Sequence, residues 1–215
     1  MVASLDALLS SDRLWRATGA VHAPRACVPS EFPLLDECLP GGGWPCPGLV
    51  EVLYAHSGIG ELSLFVPALQ RLIATEQGPA RSIACLNPPH LPYAPAFAER
   101  GIDPARLLVS RPLTPTQTLW ASEQALRSGA CLAVLAWIET ANLHALRRLK
   151  LAAHAGGCLG VLFRSLPHRL QASPATLRLA LWADAARLAV ELVKVQGGRA
   201  GVVMLDRWQR SSTWG

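Results

Sequence analysis

The sequence predicts an α/β fold, with a mostly parallel sheet, helices on both faces and antiparallel strands at the C-terminal end. Three observations lead to this prediction. Short apolar runs alternate with amphipathic stretches from residue 49 to residue 165, as in parallel strands joined by helices. The run ACLAVLAWIE is apolar almost throughout, as is a strand covered on both faces. Three further runs then follow without a helical stretch between them, which favours antiparallel pairing at one edge.

The composition is that of a globular protein. Of the 215 residues, 51% are hydrophobic and 16% are charged, which excludes a disordered chain. No apolar stretch reaches the roughly 18 residues of a membrane-spanning helix, and the first residues lack a basic secretory segment, so we expect a cytoplasmic protein. The six cysteines form no C-x-x-C pair; we expect reduced thiols and no metal. The net charge of +5 permits DNA or an acidic protein as a partner without requiring either.

Three segments are predicted along the chain: an N-terminal helical arm or tether (1–29), a core domain (30–206) and a tail (207–215). The arm is expected to form a short amphipathic helix that either folds onto its own domain or docks on a partner. Its apolar stripe consists of Leu5, Leu8, Leu9 and Trp15. The tail carries Trp208 and Trp214 beside arginines, a composition of interface hot spots, although a frayed terminus is the alternative.

The first half of the core domain is predicted to contain two strands and three helices. Ser30 is expected to cap a short helix that ends at Pro40 and the glycines 41–43. Trp44 in the following turn is expected to be exposed. A buried strand at 49–54 precedes a helix from Glu61 to about Ala74, in which Pro67 introduces a kink or a break. The run RSIACL predicts the next strand, which stops at two prolines, and a short helix at 95–100 ends at a glycine.

In the second half of the core domain, strands and helices alternate at first, and strands alone follow. RLLVSRP predicts a third strand, and a helix at 116–128 leads to the fourth, ACLAVLAWIE. Trp137 on the fourth strand is expected to lie in the core. A helix at 142–155 leads to the fifth strand, CLGVLFRS. The last runs, TLRLALWAD, ARLAVELVKVQ and GVVMLDRW, predict antiparallel strands, and QGGRAG suits a hairpin turn.

The stretch YAHSGIGELS, residues 54–63, has the layout of a phosphate-binding loop, with a strand before it and a predicted helix after it. Such a loop reads G-x-x-x-x-G-K-[ST], in which the lysine reaches the phosphates and the hydroxyl holds Mg²⁺. The corresponding residues here are Ala55, Gly58, Gly60, Glu61 and Leu62. Glu61 therefore stands in the lysine position and Leu62 in the hydroxyl position.

A carboxylate at position 61 opposes nucleotide binding. A cation about 4 Å from a phosphate contributes roughly 4 kcal/mol at an effective dielectric constant near 20, so an anion in its place costs up to about 8 kcal/mol. The same carboxylate suits the N-terminus of the predicted helix, and we expect it, or a water, to hold the loop in shape instead of a phosphate. The alternative is a nucleotide bound unconventionally, through Arg111 or Lys150.

Two long stretches resemble the RecA-like ATPase core, and the resemblance extends over about residues 30–205. They are LLDECLPGGGWPCPGLVEVLYAHSGIGELSLFVPALQRL and AFAERGIDPARLLVSRPLTPTQTLWASEQALRSGACLAVLAWIE. Within them and beyond, LPGGGWP, GIGELSLFVPAL and ELVKVQGGRAG are together similar to the ImuA family of accessory proteins of translesion DNA synthesis. The set is more specific than a glycine-rich loop alone.

The resemblance implies a protein that does not hydrolyse ATP and holds no cofactor. The catalytic glutamate of the RecA-like ATPases corresponds to Pro89, and the aspartate that supports the metal corresponds to Trp137. The implied role is in the SOS response to DNA damage, as an accessory of translesion synthesis and DNA repair. The implied partners are RecA, the polymerase-like ImuB protein and an error-prone replicative-type polymerase, with DNA contacted indirectly.

Basic residues at two places bear on direct contact with DNA. Arg147, Arg148 and Lys150 lie on the predicted helix 142–155 and form either a solvated face or a patch for phosphates or an acidic partner. Arg164, His168, Arg169 and Arg178 surround the exit of the fifth strand, where RecA-like proteins carry DNA-binding loops. The short, proline-broken segment there predicts a reduced or lost loop. Three other functions stay open: a working ATPase, a cell-division inhibitor of the SulA kind and a DNA-binding module.

Overall fold

The computed structural model of the chain describes residues 26–184, 186–195 and 198–206. Its strands are β1 (Cys27–Val28), β2 (Trp44–Pro45), β3 (Gly48–Tyr54), β4 (Ser82–Leu86), β5 (Leu107–Ser110), β6 (Cys131–Trp137), β7 (Leu159–Ser165), β8 (Leu177–Asp184), β9 (Arg187–Val195) and β10 (Val202–Asp206). Its α-helices are α1 (Pro33–Asp36), α2 (Val66–Ala74), α3 (Ala94–Ala98), α4 (Pro115–Arg127) and α5 (Leu143–Gly156), with short 3₁₀ helices at Pro104–Arg106 and Leu166–Leu170. None of the helices in these ranges is long and apolar enough to cross a membrane.

Eight strands form one sheet in the order β10-β9-β8-β3-β7-β6-β4-β5. Strands β3, β4, β5, β6, β7 and β8 all run parallel to one another. β9 is antiparallel to both β8 and β10. Helices α1, α2 and α3 contribute to the apolar core on one face, and α4 and α5 to the core on the other. The predicted α/β class, with its mostly parallel sheet and C-terminal antiparallel strands, is confirmed.

β8 joins the parallel part of the sheet to the antiparallel part. It pairs antiparallel with β9, as predicted, and it also pairs in parallel with β3, from Val50 opposite Leu177 to Tyr54 opposite Leu181, which the sequence did not indicate. The segment 166–176 carries the chain back across the sheet between β7 and β8 without an α-helix. Parallel neighbours need such a crossover connection, and a run of alternating apolar residues does not reveal it, because the pattern is the same for either direction.

Helix α2 begins later than predicted, at Val66 and not at Glu61. Residues 61–65 form turns, with Leu64 N–H donating to Gly60 O at 3.3 Å. Pro67 lies in the first turn of the helix, where a missing N–H removes no hydrogen bond. The proline therefore marks a helix start, and no kink is required.

Ser30 does not cap α1, whose N-cap residue is Phe32. The Ser30 hydroxyl accepts a hydrogen bond from Phe32 N–H at 3.2 Å, and Ser30 N–H donates to the Asp36 carboxylate at 2.9 Å. Ser30 is fully buried. It thus fixes the chain just before the helix instead of capping it.

Trp44 is fully buried, so the expectation of exposure was wrong. Its ring centroid lies 4.7 Å from that of Phe65. Gly43 permits this packing, because a Cβ there would lie 2.2 Å from the carbonyl oxygen of Val28. Val28 belongs to the same apolar core and to β1, which pairs with β2, so the chain already packs on the core before residue 30.

Candidate functional site

The loop at residues 55–62 follows β3 at the carboxyl-terminal edge of the parallel sheet. In the sheet β3 lies between β7 and β8, whereas β4, the next long strand in the chain, lies three places away. Connections that depart in opposite directions leave a crevice at the carboxyl ends of the strands, and ligands bind there in open α/β sheets. The loop thus occupies the position where an open α/β sheet would place a ligand.

The carboxylate of Glu61 turns back into this loop. Gly58 N–H donates to both of its oxygens, at 3.0 and 3.1 Å, and Gly60 N–H donates to one of them at 3.1 Å. The two glycines have φ of 86° and 106°, values that favour glycine. Backbone N–H groups that converge in this way form a nest for an anion. Here the anion belongs to the protein itself, and Glu61 is only 5% exposed.

Loop amides, and not a helix N-terminus, stabilise the carboxylate of Glu61. The sequence indicated that Glu61 would meet the N-terminus of a helix, but α2 begins five residues later. The helix dipole acts only within the first turn, so it does not account for Glu61. Charge-assisted hydrogen bonds from loop amides take its place.

A second carboxylate lies close to the same loop. Burial, followed by the charges of Glu61 and Glu139, raises the pKa of Tyr54 to about 12. Tyr54 ends β3, and Glu139 follows β6, two places away in the sheet. Glu139 also lies 3.6 Å from His168 Nε2. Both charged groups that act on the Tyr54 hydroxyl are acidic, and two nearby anions disfavour a triphosphate.

Tyr54 offers a direct measurement of this environment. A phenol ionises near pH 10 in an unfolded chain and at about 12 here. The folded state therefore keeps its proton longer, and the stability that Tyr54 contributes is complete below about pH 10 and is lost as the pH rises through 12. In a pH titration, the natural chain should therefore gain phenolate absorbance near pH 12, and Tyr54→Phe should lack this step. A step near pH 10 would show that neither burial nor the two carboxylates act on this hydroxyl.

The two positions matched to the ATPase acids hold no acid. Pro89 is exposed beyond the end of β4. Trp137 is buried at the end of β6, and its ring stacks on Phe163 at 4.6 Å with an interplanar angle of 19°. Its backbone carbonyl accepts a hydrogen bond from Asn87 Nδ2 at 3.3 Å. Trp137 is therefore a packing residue at the position that the resemblance matches to a metal-supporting aspartate.

A small cavity lies beside the loop among the described residues. It has a volume of about 20 Å³, which is room for about one water. Its lining consists of Phe32, Gly60, Ser63, Leu64, Leu188, Leu205 and Asp206. Ligand pockets for drug-sized molecules typically measure about 300–1,000 Å³, so this cavity does not admit a nucleotide.

A buried ion network lies below the same edge of the sheet. Arg164 Nη1 contacts Glu51 Oε1 at 2.7 Å, and Arg178 Nε contacts Glu51 Oε2 at 2.6 Å. Glu51 and Arg164 are completely buried, and Arg178 nearly so. The three side chains come from β3, β7 and β8, adjacent strands of the sheet. One carboxylate thus neutralises part of the charge of two arginines.

Arg164 and Arg178 also donate hydrogen bonds to backbone carbonyls of neighbouring loops, and the nearby Arg169 pairs with a carboxylate. Arg164 donates to the carbonyl of Ile138 at 3.3 Å, and Arg178 donates to the carbonyl of His168 at 3.0 Å. Arg169 makes two hydrogen bonds to Glu191, at 2.7 and 2.6 Å. The three arginines at the exit of β7 are therefore engaged within the protein and do not form a free patch for DNA phosphates.

Glu51 was missed by the sequence analysis. Its signal is the single carboxylate in the otherwise apolar run LVEVLY. A charge in a fully buried strand needs an ionic partner, and the arginines of β7 and β8 are the matching signal. Their pairing depends on strand order, which the sequence did not provide.

The three basic residues of α5 have different surroundings. Arg148 pairs with Glu123 of α4, Arg147 is exposed, and Lys150 is half-buried. Burial, followed by the charge of Lys150, lowers the pKa of Lys194 on β9. Arg111 follows β5, four strands from β3, or about 19 Å at about 4.8 Å per strand. Arg111 is therefore not placed to replace the missing lysine of the loop.

Six predicted partner-binding residues lie outside the described residues. They are Leu5, Leu8, Leu9 and Trp15 of the arm and Trp208 and Trp214 of the tail. Their assignment stays a prediction.

No family model matches the chain. A curated protein, Protein ImuA of Caulobacter vibrioides, is 32% identical over 140 residues in both strains compared, NA1000 / CB15N and ATCC 19089 / CIP 103742 / CB 15. This chain is similar to ImuA. The match covers 63% of this chain and 56% of ImuA, so the chain spans about half the length of the curated relatives it matches. The resemblance to ImuA noted in the sequence is thereby confirmed.

Among solved structures, SulA from Pseudomonas aeruginosa is 26% identical to the chain. The alignment covers 54% of this chain and 97% of the SulA chain, with a TM-score of 0.43. A likeness of that extent does not bear on the function of this chain.

Proposed function

We propose that this chain is a non-catalytic, RecA-like accessory protein of damage-induced translesion DNA synthesis and that it acts by binding other proteins. The observation that carries the proposal is the occupied loop, in which the Glu61 carboxylate accepts the hydrogen bonds of Gly58 and Gly60. The similarity to ImuA supports the cellular process. The loop geometry supports the absence of catalysis.

A triphosphate would have to displace this internal anion. The loop would lose the carboxylate hydrogen bonds, and the displaced carboxylate would lie beside the phosphates. Like charges about 4 Å apart repel by about 4 kcal/mol at an effective dielectric constant near 20. Hydrolysis would further need acids to position Mg²⁺ and water, whereas the matched positions hold Pro89 and Trp137. Glu61 thus disfavours nucleotide binding, and the residues at positions 89 and 137 disfavour hydrolysis.

The proposed partners are RecA, the ImuB polymerase-like protein and the error-prone replicative-type polymerase. The arginines at the exit of β7 favour protein partners over DNA, because Arg164 and Arg178 pair with Glu51 and Arg169 pairs with Glu191. Affinity for DNA depends on cations that can reach phosphates. Indirect contact with DNA, through a bound protein, is the consistent arrangement.

The purified chain should neither hydrolyse Mg-ATP nor unfold at a higher temperature in its presence. The informative control is the double variant Glu61→Lys, Leu62→Thr, which restores the loop's usual residues. We expect it to gain Mg-ATP binding without turnover, since positions 89 and 137 are unchanged. Turnover by the natural chain that disappears in Glu61→Ala would overturn the proposal.

Cells provide the second test. Deleting the gene for this chain should lower the frequency of mutations induced by DNA damage, and the natural chain should restore it. Overproduction without damage distinguishes the division inhibitor, which would make cells filamentous. Filaments together with unchanged induced mutagenesis would favour that function over the proposed one.

A further inference from the structure

The outer surface of the paired helices α4 and α5 carries cations beside exposed leucines. Glu123 of α4 contacts Arg127, one turn later, at 2.8 Å, and its other oxygen contacts Arg148 of α5. A Cβ on Gly156 would lie 1.9 Å from the carbonyl oxygen of Leu126, so the helices also approach closely at their C-terminal ends. We use the term basic helix face for Arg127 of α4 and Leu143, Arg147, Arg148, Lys150 and Leu151 of α5.

The cations of the basic helix face outnumber its acids. Arg127 and Arg148 share the carboxylate of Glu123, each through Nη2, and both side chains are more than half exposed. Arg147 is exposed, and residues 140–183 contain no aspartate or glutamate. One carboxylate thus compensates one of four cations, and the face carries an excess of positive charge.

Two neighbouring groups respond to this excess. Burial, followed by the charge of Lys150, lowers the pKa of His154, which lies one turn further along α5. The same two causes come first in lowering the pKa of Lys194. A nearby like charge disfavours the charged form of a group. An anion that binds beside Lys150 would therefore relieve a repulsion that the protein leaves in place.

The leucines of the face lie in one row with Arg147. Leu143 is 39% exposed and Leu151 is 67% exposed, and neither belongs to the two apolar cores. Arg147 lies four residues from each of them, and residues at this spacing are neighbours on a helix surface. The leucines are about 12 Å apart along the axis at about 1.5 Å per residue.

The combination of cations and leucines favours a protein partner over a nucleic acid. Phosphates are bound by cations and hydrogen-bond donors, and such contacts leave the leucines exposed. An acidic protein segment with apolar side chains would cover the leucines and neutralise the arginines together. Arginine is also enriched among the residues that dominate protein–protein binding.

We propose that the basic helix face is a docking site for an acidic segment of a partner protein. Two apolar side chains of the segment, about 12 Å apart, cover Leu143 and Leu151, and carboxylates between them pair with Arg147 and Arg148. The inference rests on the proposed function, because it supplies a surface through which such a protein binds. It uses no residue of the Glu61 loop, so ATP turnover would leave it intact, and absent peptide binding would leave the ATP tests unchanged.

Amide NMR of the full-length chain tests this with four probes. They are a designed helical peptide with two leucines seven residues apart among glutamates, its variant with alanine for leucine, its variant with lysine for glutamate, and an oligothymidylate. The first peptide should shift amides in 123–128 and 143–155, and its binding should weaken as salt is added. The alanine variant should bind at least about tenfold more weakly, and the lysine variant should not bind.

Two substitutions with matched controls locate the binding. Arg147→Glu and Leu151→Gln should each weaken binding of the first peptide at least about tenfold. Arg71→Glu and Leu34→Gln make the same changes at exposed positions of α2 and α1, on the other face of the sheet, and should bind as the natural chain does. All four side chains are exposed, so equal thermal unfolding is expected and separates lost binding from lost folding.

Three outcomes would overturn the inference. The first peptide could leave these amides unshifted. The alanine variant could bind as tightly as the first peptide, which would show that the leucines have no part in docking. The oligothymidylate could bind these residues more tightly than the first peptide, which would assign the face to a nucleic acid.

Discussion

Replacing Glu51 with glutamine should lower the free energy of unfolding by about 3–5 kcal/mol, the usual effect of removing one partner from a buried ion pair. Arg164 and Arg178 would keep their positive charges in the interior and lose the carboxylate that contacts both. Glutamine has nearly the same shape, so the loss measures charge compensation. We expect Glu51→Gln to be more harmful than any exposed substitution in the described residues.

Urea unfolding of Glu51→Gln beside Glu191→Gln provides the comparison. Glu191 pairs with Arg169 in a half-exposed position, where an ion pair contributes about 0–1 kcal/mol. Equal losses in the two variants would mean that Glu51 is not the centre of a buried network. Replacing all three members of the network by apolar residues should recover part of the loss, because no charge then stays unpaired.

Replacing Glu61 with alanine should lower the free energy of unfolding by about 1–3 kcal/mol, because buried donors would lose their acceptor. The amides of Gly58 and Gly60 lose the carboxylate that they contact at 3.0–3.1 Å. Glu61→Gln should fall between alanine and the natural residue, since its carbonyl oxygen can accept hydrogen bonds but its amide nitrogen cannot.

Hydrogen exchange at the two glycine amides reports this contact directly. Exchange at Gly58 and Gly60 should become faster in Glu61→Ala, together with the loss of stability in urea. Ser63→Ala serves as the control, because Ser63 is exposed in the same turn and exposed substitutions usually stay within about 0.5 kcal/mol. Unchanged glycine exchange in Glu61→Ala would show that the carboxylate does not hold the loop.

Much of the fold could be predicted because the signals are local. The run ACLAVLAWIE predicts β6 by itself, since a strand between two helical layers is apolar on both faces. Asn142 and Gly157 bracket α5 as its N-cap and C-cap residues, and such caps act on the nearest turn alone. The place of the loop after β3 follows from the same local order of strand and glycines.

Part of the candidate site could be predicted in the same way. The acid in the lysine position of the loop can be read from the sequence, and Coulomb's law indicates its effect on a phosphate. Its hydrogen-bonding partners could not be predicted, because they depend on whether α2 starts at residue 61 or at residue 66. Pro67 is compatible with a kink or with a first turn, and only the structure distinguishes them.

The sequence by itself determined that this chain alternates strands and helices and carries an anion where a nucleotide loop needs a cation. Tertiary structure alone decided that β8 runs parallel to β3, that Glu51 meets two arginines from neighbouring strands, and that Trp44 packs on Phe65. The physical reason is one of distance along the chain. Caps, turns and periodicity depend on residues a few positions apart, whereas a buried ion network requires strands more than a hundred residues apart to lie side by side.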